Sequence, residues 1–463
     1  MAKRKPANAV TELRGHLRKH PDLRAIELLV ADVNGVLRGK QIQRRDFEKT
    51  FADGFAMPGG TVLLDTQGNT VDGIGWASED GDPDLPAEIV PGRLVPVPWA
   101  KRPTAQTLFR FRRDDGQPFI GDPRALLEQS LEKVRRWCPR VVMAAELEFF
   151  LLEARTDRPT PRASRIPGLG RPQPGPQVYT PDELTEVEDF LDDLHEVCEA
   201  QAIPAGATTS EFAPGQFEIN LHHIDDPLLA CDHAVMLKRA IKGVARKHGF
   251  VASFMAKPFA EYAGSGLHVH MSLYGRNGEN YLSMGKPGMT TPPYSARLRH
   301  VIGGLQKTMA DATLLFAPNA NSYRRLRPEM FAPVEPNWGA NHRNVALRIP
   351  DADQKNLRFE HRGSGADANP YIVTAGILAG VYHGLKEKPA PSRMVAEREA
   401  VRLKAKIPNR WSTAIDRFER SRILRDFFGD EFVRLYAGNR RAEEERHHFQ
   451  VSDVDYDWYL RAL

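Results

Sequence analysis

Four short tracts hold the residues that could do chemistry: Glu146-Leu147-Glu148, Glu211 through Glu218, Gly264 through Ser272, and Arg358-Phe359-Glu360-His361-Arg362. Three of them repeat ionisable or polar residues at i, i+2, the spacing that puts side chains on one face of a strand. Glu146 and Glu148 share a face, with Leu147 and Phe149 on the other. His268, His270 and Ser272 share a second, opposite Leu267, Val269 and Met271. Arg358, Glu360 and Arg362 share a third. A sheet face lined by Glu146, Glu148, Glu211, Glu218, Glu360 and His268 could not stay ionised without cations to balance it. Oxygen-rich ligation with one imidazole suits Mg²⁺ or Mn²⁺ and not a structural zinc site. The set therefore points to divalent-metal chemistry, with arginines nearby for an anion.

These residues need elements to hold them. Val141 to Ala145 before the first pair and Phe149 to Leu152 after it describe a strand buried on both faces, where acids require partners. Glu211 and Glu218 flank Pro214-Gly215, so a tight turn brings them together across a hairpin. His222 and His223 read as ordinary polar residues. Gly264-Ser265-Gly266 lets the backbone approach a ligand closely. Asp122-Pro123 and Asp226-Pro227 open helices, the second stopping at Lys247-His248-Gly249. Thr180-Pro181-Asp182-Glu183 reads as a capping box for a helix through Cys198. Nearer the start, Ile26–Asp32 and Thr61–Asp65 are strand-like, and Asn34-Gly35 signals a hairpin after the first. Pro91 to Pro103 is dense in proline and reads as a connection into a second, larger unit. The segment from Thr156 to Tyr179, rich in Pro, Arg and Gly, reads as a flap or peripheral loop. The last eighty or so residues are charged and helix-forming, with Phe427-Phe428-Gly429 and Tyr456 through Leu460 as docking anchors.

Composition sets the outer bounds. With 463 residues, 41% of them hydrophobic, the chain can bury a large core. No apolar run approaches the roughly 20 residues of a membrane span, and no signal-peptide core follows the basic start. Cys138, Cys198 and Cys231 lie far apart without metal-ligand spacing, as in a reducing cytoplasm. A net charge of +4 and short arginine clusters give no basic, aromatic-interleaved surface for nucleic acid.

Taken in order, Ala145 to Phe149, Glu211 to Glu218, Lys257-Pro258 to Ser272, Asn321 to Arg325, and Glu360 to Tyr371 resemble the glutamine synthetase superfamily, and Asp32 to Lys40 is similar to its first strands. The resemblance spans nearly the whole chain. It implies an α+β fold with an N-terminal β-grasp domain over residues 1–103. A catalytic domain over 104–463 would hold a curved antiparallel sheet flanked by helices. It also implies stacked hexameric rings, a dodecamer, with active sites between subunits. By matching position, one Mg²⁺ (or Mn²⁺) would be held by Glu148, Glu211 and Glu218, and another by Glu146, His268 and Glu360. His270 and Ser272 would contact ATP. Gly264, Arg325 and Arg362 would hold glutamate, and Arg343 and Arg348 would serve the phosphates as catalytic residues.

The departures from that pattern concern the nitrogen substrate. Ammonia-using members carry a glutamate just before an Ala-Pro pair, where this chain has Phe331 before Ala332-Pro333. The family's Asp-Gly-Ser-Ser tract is absent between Asp65 and Asp84. Ala263 replaces an asparagine, and no adenylylation loop is seen near residues 385–405. With metal, ATP and glutamate sites kept and the ammonium site changed, the chain looks like the γ-glutamylpolyamine (glutamate–putrescine) synthetase branch. The expected function is ATP-dependent ligation of glutamate to an organic amine, with Phe331 and Glu329 as amine-site candidates. A glutamine synthetase using ammonium and a non-catalytic sensor or scaffold are the alternatives.

Overall fold

The computed structural model describes residues 8–463 apart from 155–156, 167, 174, 176, 286–287, 290, 329 and 402–403. Two sheets organise the α+β fold. The first is built from β1 (Ala25–Ala31), β2 (Leu37–Gln43), β3 (Phe55–Pro58), β4 (Asp84–Ile89), β5 (Val95–Pro96) and β6 (Thr104–Phe111), in the order β2-β1-β6-β4-β3 with β5 also on β6. The β1–β2 hairpin forms where Asn34-Gly35 predicts it. Asp32 accepts from the backbone N–H of Asn34 (2.8 Å) and Val36 (2.9 Å), and Gly35 takes the positive φ of 77°. Strands β1 and β6 pair in parallel.

Strand β6 is central to this sheet, where its almost wholly buried residues complete the packing of β1 and β4. One expectation changes here. Thr61–Asp65 is not a strand. Gly59–Val62 forms a 3-10 turn, Val62 and Leu63 are buried, and Asp65 accepts from the N–H groups of Gln67 (3.0 Å) and Asn69 (2.7 Å). The short side-chain bonds of an aspartate compete here with a strand ladder.

The second sheet comprises β7 (Arg140–Glu153), β8 (Ala205–Ser210), β9 (Gln216–Leu221), β10 (Phe250–Ser253), β11 (Gly266–Tyr274), β12 (Trp338–Ala340), β13 (Leu347–Ile349) and β14 (Phe359–Gly365). Its order is β12-β13-β14-β11-β7-β9-β8, with β10 pairing β7, and β12 and β13 pair in parallel. Helices cover one side. Pro227–Lys247 lies against β7 and β10, and the almost wholly buried helix Pro370–Glu387 packs on Ala296–Met309 and Pro123–Arg135. Gly304 allows that crossing, since a Cβ there would lie 2.4 Å from the carbonyl oxygen of Gly380. The Asp122 and Asp226 caps form as predicted.

The Thr180 capping box does not form. Its would-be partner Glu183 instead accepts from Ser164 Oγ and from the N–H of Gln177 (3.2 Å), and the helix divides into Pro181–Thr185 and Glu188–Ala200. At the C-terminal end Phe427 and Phe428 are buried anchors, whereas Tyr456, Trp458, Tyr459 and Leu460 are exposed. Asp453–Tyr459 is a helix with no buried residue, so the anchor role expected of it is not met within this chain. Ion pairs link the helices of the large sheet to the first sheet's loops. Buried Asp232, on the helix Pro227–Lys247, accepts from Arg93 (2.7 Å) between β4 and β5, from Arg124 (2.9 Å) and from the Tyr371 hydroxyl (2.7 Å), and the part-exposed Arg446 bonds the buried Asp65 at 2.6 Å.

Candidate active site

Register places the chemistry. On β7, Glu146 is paired with His268 of β11 on one side and with Asn220 of β9 on the other, while Glu148 is paired with Glu218. His270 of β11 is opposite Glu360 of β14, which is opposite Arg348 of β13. Residues directly opposite on neighbouring strands point to the same face. One band of side chains therefore runs from Arg348 across Glu360, the histidines and the β7 carboxylates to Glu218. Glu146 Oε1 lies 2.8 Å from His270 Nε2, and its Oε2 lies 3.2 Å from His268 Nδ1. His268 also lies 3.8 Å from Glu148 and 3.9 Å from Glu360.

Loops bring in the remainder. Gly215, at φ 68°, turns the β8–β9 hairpin, and the Glu211 N–H donates to the Gln216 carbonyl at 2.8 Å, so Glu211 and Glu218 enter one cleft. Gly266 donates its N–H to Glu148 Oε2 at 2.7 Å. A Cβ on it would fall 2.9 Å from both Arg325 Nη2 and His268 Nε2, so only glycine leaves room for these side chains to converge. Arg325 is buried and donates to the Gly363 carbonyl at 3.4 Å. Arg362 bonds Glu360 Oε1, and Arg348 bonds Glu360 Oε2 at 3.1 Å. The cleft of about 500 Å³ is lined by Glu146, Glu148, Glu211, Glu218, His268, Gly264 and all four expected arginines, Arg325, Arg343, Arg348 and Arg362.

The electrostatics divide the carboxylates into two classes. Burial pushes the Glu211 carboxyl up to about 8, helped by the neighbouring charges of Glu148 and Glu146. Burial and the charges of Glu146, Glu148 and Glu211 push Glu218 up to about 9. Burial acts on Glu146 as well, but hydrogen bonds from His268 and His270 outweigh it and hold that carboxyl well below the usual range. Glu360 is likewise held low, against its burial, by Arg362 and the two histidines. Acids crowded this way are the donor set a divalent cation takes. Ligand atoms of Glu146, His270 and Glu360 lie within 4.8 Å of one another, as do those of Glu146, Glu218 and His268. The residues thus fit metal binding. Glu146 belongs to both groups because it bonds both histidines, and His270 sits in one of them.

Ser272 is buried and its hydroxyl donates to the Leu357 carbonyl at 3.1 Å. Glu329 lies outside the described residues. In and beside the cleft are further side chains that the motifs did not single out. His223, read as an ordinary polar residue, packs its ring 5.8 Å from that of His270. Gln216 lines the cleft and donates to the Gly264 carbonyl at 3.1 Å. Tyr179 and Phe212 line it beside Phe331. The Pro-rich segment read as a flap or peripheral loop folds back on β7 in its described part, with the Arg162 N–H donating to Leu151 O at 2.8 Å, and it ends by delivering Tyr179 to the cleft. Phe212, adjacent to Glu211, and Gln216, two residues before Glu218 on one strand face, carried signals that could have found them.

Comparison with known proteins agrees with this architecture. Residues 120–459 match the family described as glutamine synthetase, catalytic domain. The chain is 36% identical over 451 residues to the gamma-glutamylputrescine synthetase PuuA of Escherichia coli (strain K12), covering 97% of this chain and 94% of that protein. It is 30% identical to a glutamate–isopropylamine ligase of a Pseudomonas species, with 98% of each chain covered. Among solved structures, apo GmaS without ligand superposes with a TM-score of 0.80 at 25% identity, over 96% of this chain and 99% of that one. With its catalytic sheet, its band of acids and histidines and these matches, the chain belongs to the glutamine synthetase family.

Proposed function

We propose that the protein is an ATP-dependent ligase joining the γ-carboxylate of glutamate to an organic amine, with release of ADP and phosphate. The observation that carries this reading is the composition of one cleft. It keeps Glu146, Glu148, Glu211, Glu218, His268 and the four expected arginines, and it presents Phe331 where an ammonium-handling acid is expected. The similarity to ligases named for putrescine and isopropylamine supports it. All of these sites fall within residues 104–463, the proposed catalytic domain, with residues 1–103 as the proposed N-terminal domain, whose sheet takes β6 from the stretch just beyond it.

A carboxylate is a poor acyl donor until it carries a leaving group. Its oxygen takes the γ-phosphoryl group as the bond to ADP breaks, and the amine nitrogen then attacks the acyl carbon, expels phosphate and gives up a proton. Arg325 and Arg362 are assigned to the glutamate carboxylates, with Gly264 supplying backbone at the same turn, and Arg343 and Arg348 to the phosphates. Guanidinium forks hold both kinds of anion bidentately. His270 and Ser272 are assigned to the nucleotide side, where Arg358 Nε approaches His270 Nδ1 at 3.4 Å. Glu148, Glu211 and Glu218 on one side, and Glu146, His268 and Glu360 on the other, are the proposed holders of two Mg²⁺ or Mn²⁺ ions. Those ions would neutralise charge as the phosphoryl group moves.

A homo-oligomer of stacked hexameric rings, with active sites between subunits, goes with this reading, and the exposed Tyr456, Trp458 and Leu460 offer apolar surface for contacts between copies. No helix among the described residues is long and apolar enough to cross a membrane. The cytoplasm is the proposed compartment, in keeping with three buried free cysteines. A silent scaffold would have no use for the complete ligand set. The test is product formation with ATP, Mg²⁺, glutamate and a panel of amines that includes ammonium. The expected product is a γ-glutamyl amide identified by mass, formed with ADP and lost when either glutamate or the amine is left out. ADP release that needs no amine, or no product with any amine, would contradict the proposal.

A further inference from the structure

Resting on the ligase reading, we propose that Phe212 and Tyr179 complete, with Phe331, a three-ring wall that selects the amine by its carbon skeleton. The three residues come from separate stretches of chain and meet only through folding. The Phe212 and Phe331 rings lie 4.9 Å apart with planes tilted by 31°, and Tyr179 meets Phe212 edge-on at 6.1 Å. All three line the cleft that holds Glu211 and Glu218. They remain 43%, 62% and 52% exposed for Phe212, Phe331 and Tyr179, a contiguous apolar surface of the kind that marks a binding site. Two of the rings are held at a backbone conformation that bulky side chains rarely adopt, with φ 56° at Phe331 and 61° at Tyr179.

Position explains what such a wall can do. Phe212 directly follows Glu211, so one turn sends a carboxylate into the cleft and a ring toward its mouth. An alkylamine arrives mostly as an ammonium ion, with a pKa of about 10 by analogy with lysine. Its charged end is drawn to the carboxylates and to ring faces. Its carbon chain then lies along Phe212 and Phe331, where it leaves water. Tyr179, which lines the cleft with Arg343, closes the wall on the side of the phosphate arginines. Ammonium has no carbon to place there. The wall recognises chain length, and each methylene it covers is worth up to a roughly fourfold gain in efficiency.

The experiment is kcat/KM for methylamine, ethylamine, propylamine and butylamine, with saturating ATP, Mg²⁺ and glutamate, for the wild type, Phe212→Ala, Phe331→Ala and Phe212→Leu. The readout is the ratio between successive homologues, which a general loss of folded enzyme leaves unchanged. Efficiency in the wild type is expected to climb by about threefold to fourfold per methylene. The two alanine variants are expected to flatten that climb to less than about twofold, and Phe212→Leu, which keeps an apolar side chain, to retain part of it. An active wild type with no dependence on chain length, or alanine variants with the wild-type slope, overturns the wall. A wild type that turns over none of these amines, nor any diamine, overturns the ligase reading beneath it.

Discussion

Arg348 and Glu360 face each other across β13 and β14, and Nη1 of the arginine lies 3.1 Å from Oε2 of the glutamate. The second oxygen of the same fully buried carboxylate accepts from Arg362. One acid therefore aims two arginines into the cleft, and each guanidinium keeps donors for an anion. Burial works against the charge on Arg362, but Glu360 outweighs it and holds that guanidinium firmly protonated.

Arg362→Lys keeps the charge and loses the fork. The expected cost is about 1–3 kcal/mol of transition-state binding, seen as a lower kcat/KM when glutamate is varied and a small effect when ATP is varied. Steady-state kinetics with each substrate varied in turn checks it. Equal defects for both, or none, would remove Arg362 from the glutamate site.

Glu211→Ala is expected to abolish turnover at saturating Mg²⁺ while circular dichroism and thermal unfolding show a folded protein. Burial and the crowding of Glu148 and Glu146 outweigh the attractions of Glu211 to Arg343 and to the Phe212 N–H, so its loss relieves a crowded, buried acid. Near-normal turnover would take Glu211 off the ligand list.

The raised carboxyls also predict a pH dependence. Glu211 and Glu218 titrate near about 8 and about 9 in the folded chain, far above unfolded glutamate. Their contribution to stability is present below the unfolded value and is lost as pH rises through those folded values. A divalent ion takes the carboxylate form and displaces the protons. The rise in melting temperature on adding Mg²⁺ should therefore be larger at about pH 8.5 than at about pH 6. Equal rises at both pH values would contradict this.

Asp232 ties its helix, Pro227–Lys247, to the stretch between β4 and β5 through Arg93 and to the helix Pro123–Arg135 through Arg124. Burial opposes its charge, yet Arg124 and Arg93 outweigh that and keep its carboxyl below the usual range. Its depressed value adds stability above the unfolded pKa, lost as pH falls through the folded one. Asp232→Ala leaves two largely buried arginines uncompensated and should cost about 3–5 kcal/mol in denaturant unfolding, with the acid limb of the stability curve flattened. A loss under about 1 kcal/mol would refute the role of this residue as a tie.

The β7, β11 and β14 tracts were legible because strand periodicity is local: Glu146/Glu148 and His268/His270 declare a shared face without knowledge of the fold. The β8–β9 hairpin was legible from Pro214-Gly215. Thr61–Asp65 misled because its apolar residues are buried in a turn, where burial and strand look alike in sequence. The reach of the small sheet to Phe111 was hidden because β6 pairs with strands distant in sequence. Tyr179 was invisible for a similar reason. It ends an aperiodic segment and acquires its place from contacts with Phe212, which no spacing rule encodes.

The proposed nitrogen substrate is an organic amine and not ammonium, and kcat/KM for ammonium beside that for the best amine of the panel distinguishes the two. The amine should win by at least about tenfold, equivalent to ~1.4 kcal/mol of transition-state binding, and Phe331→Glu should narrow that gap. An efficient ammonium reaction with no response to any amine would contradict the account and leave an ordinary glutamine synthetase.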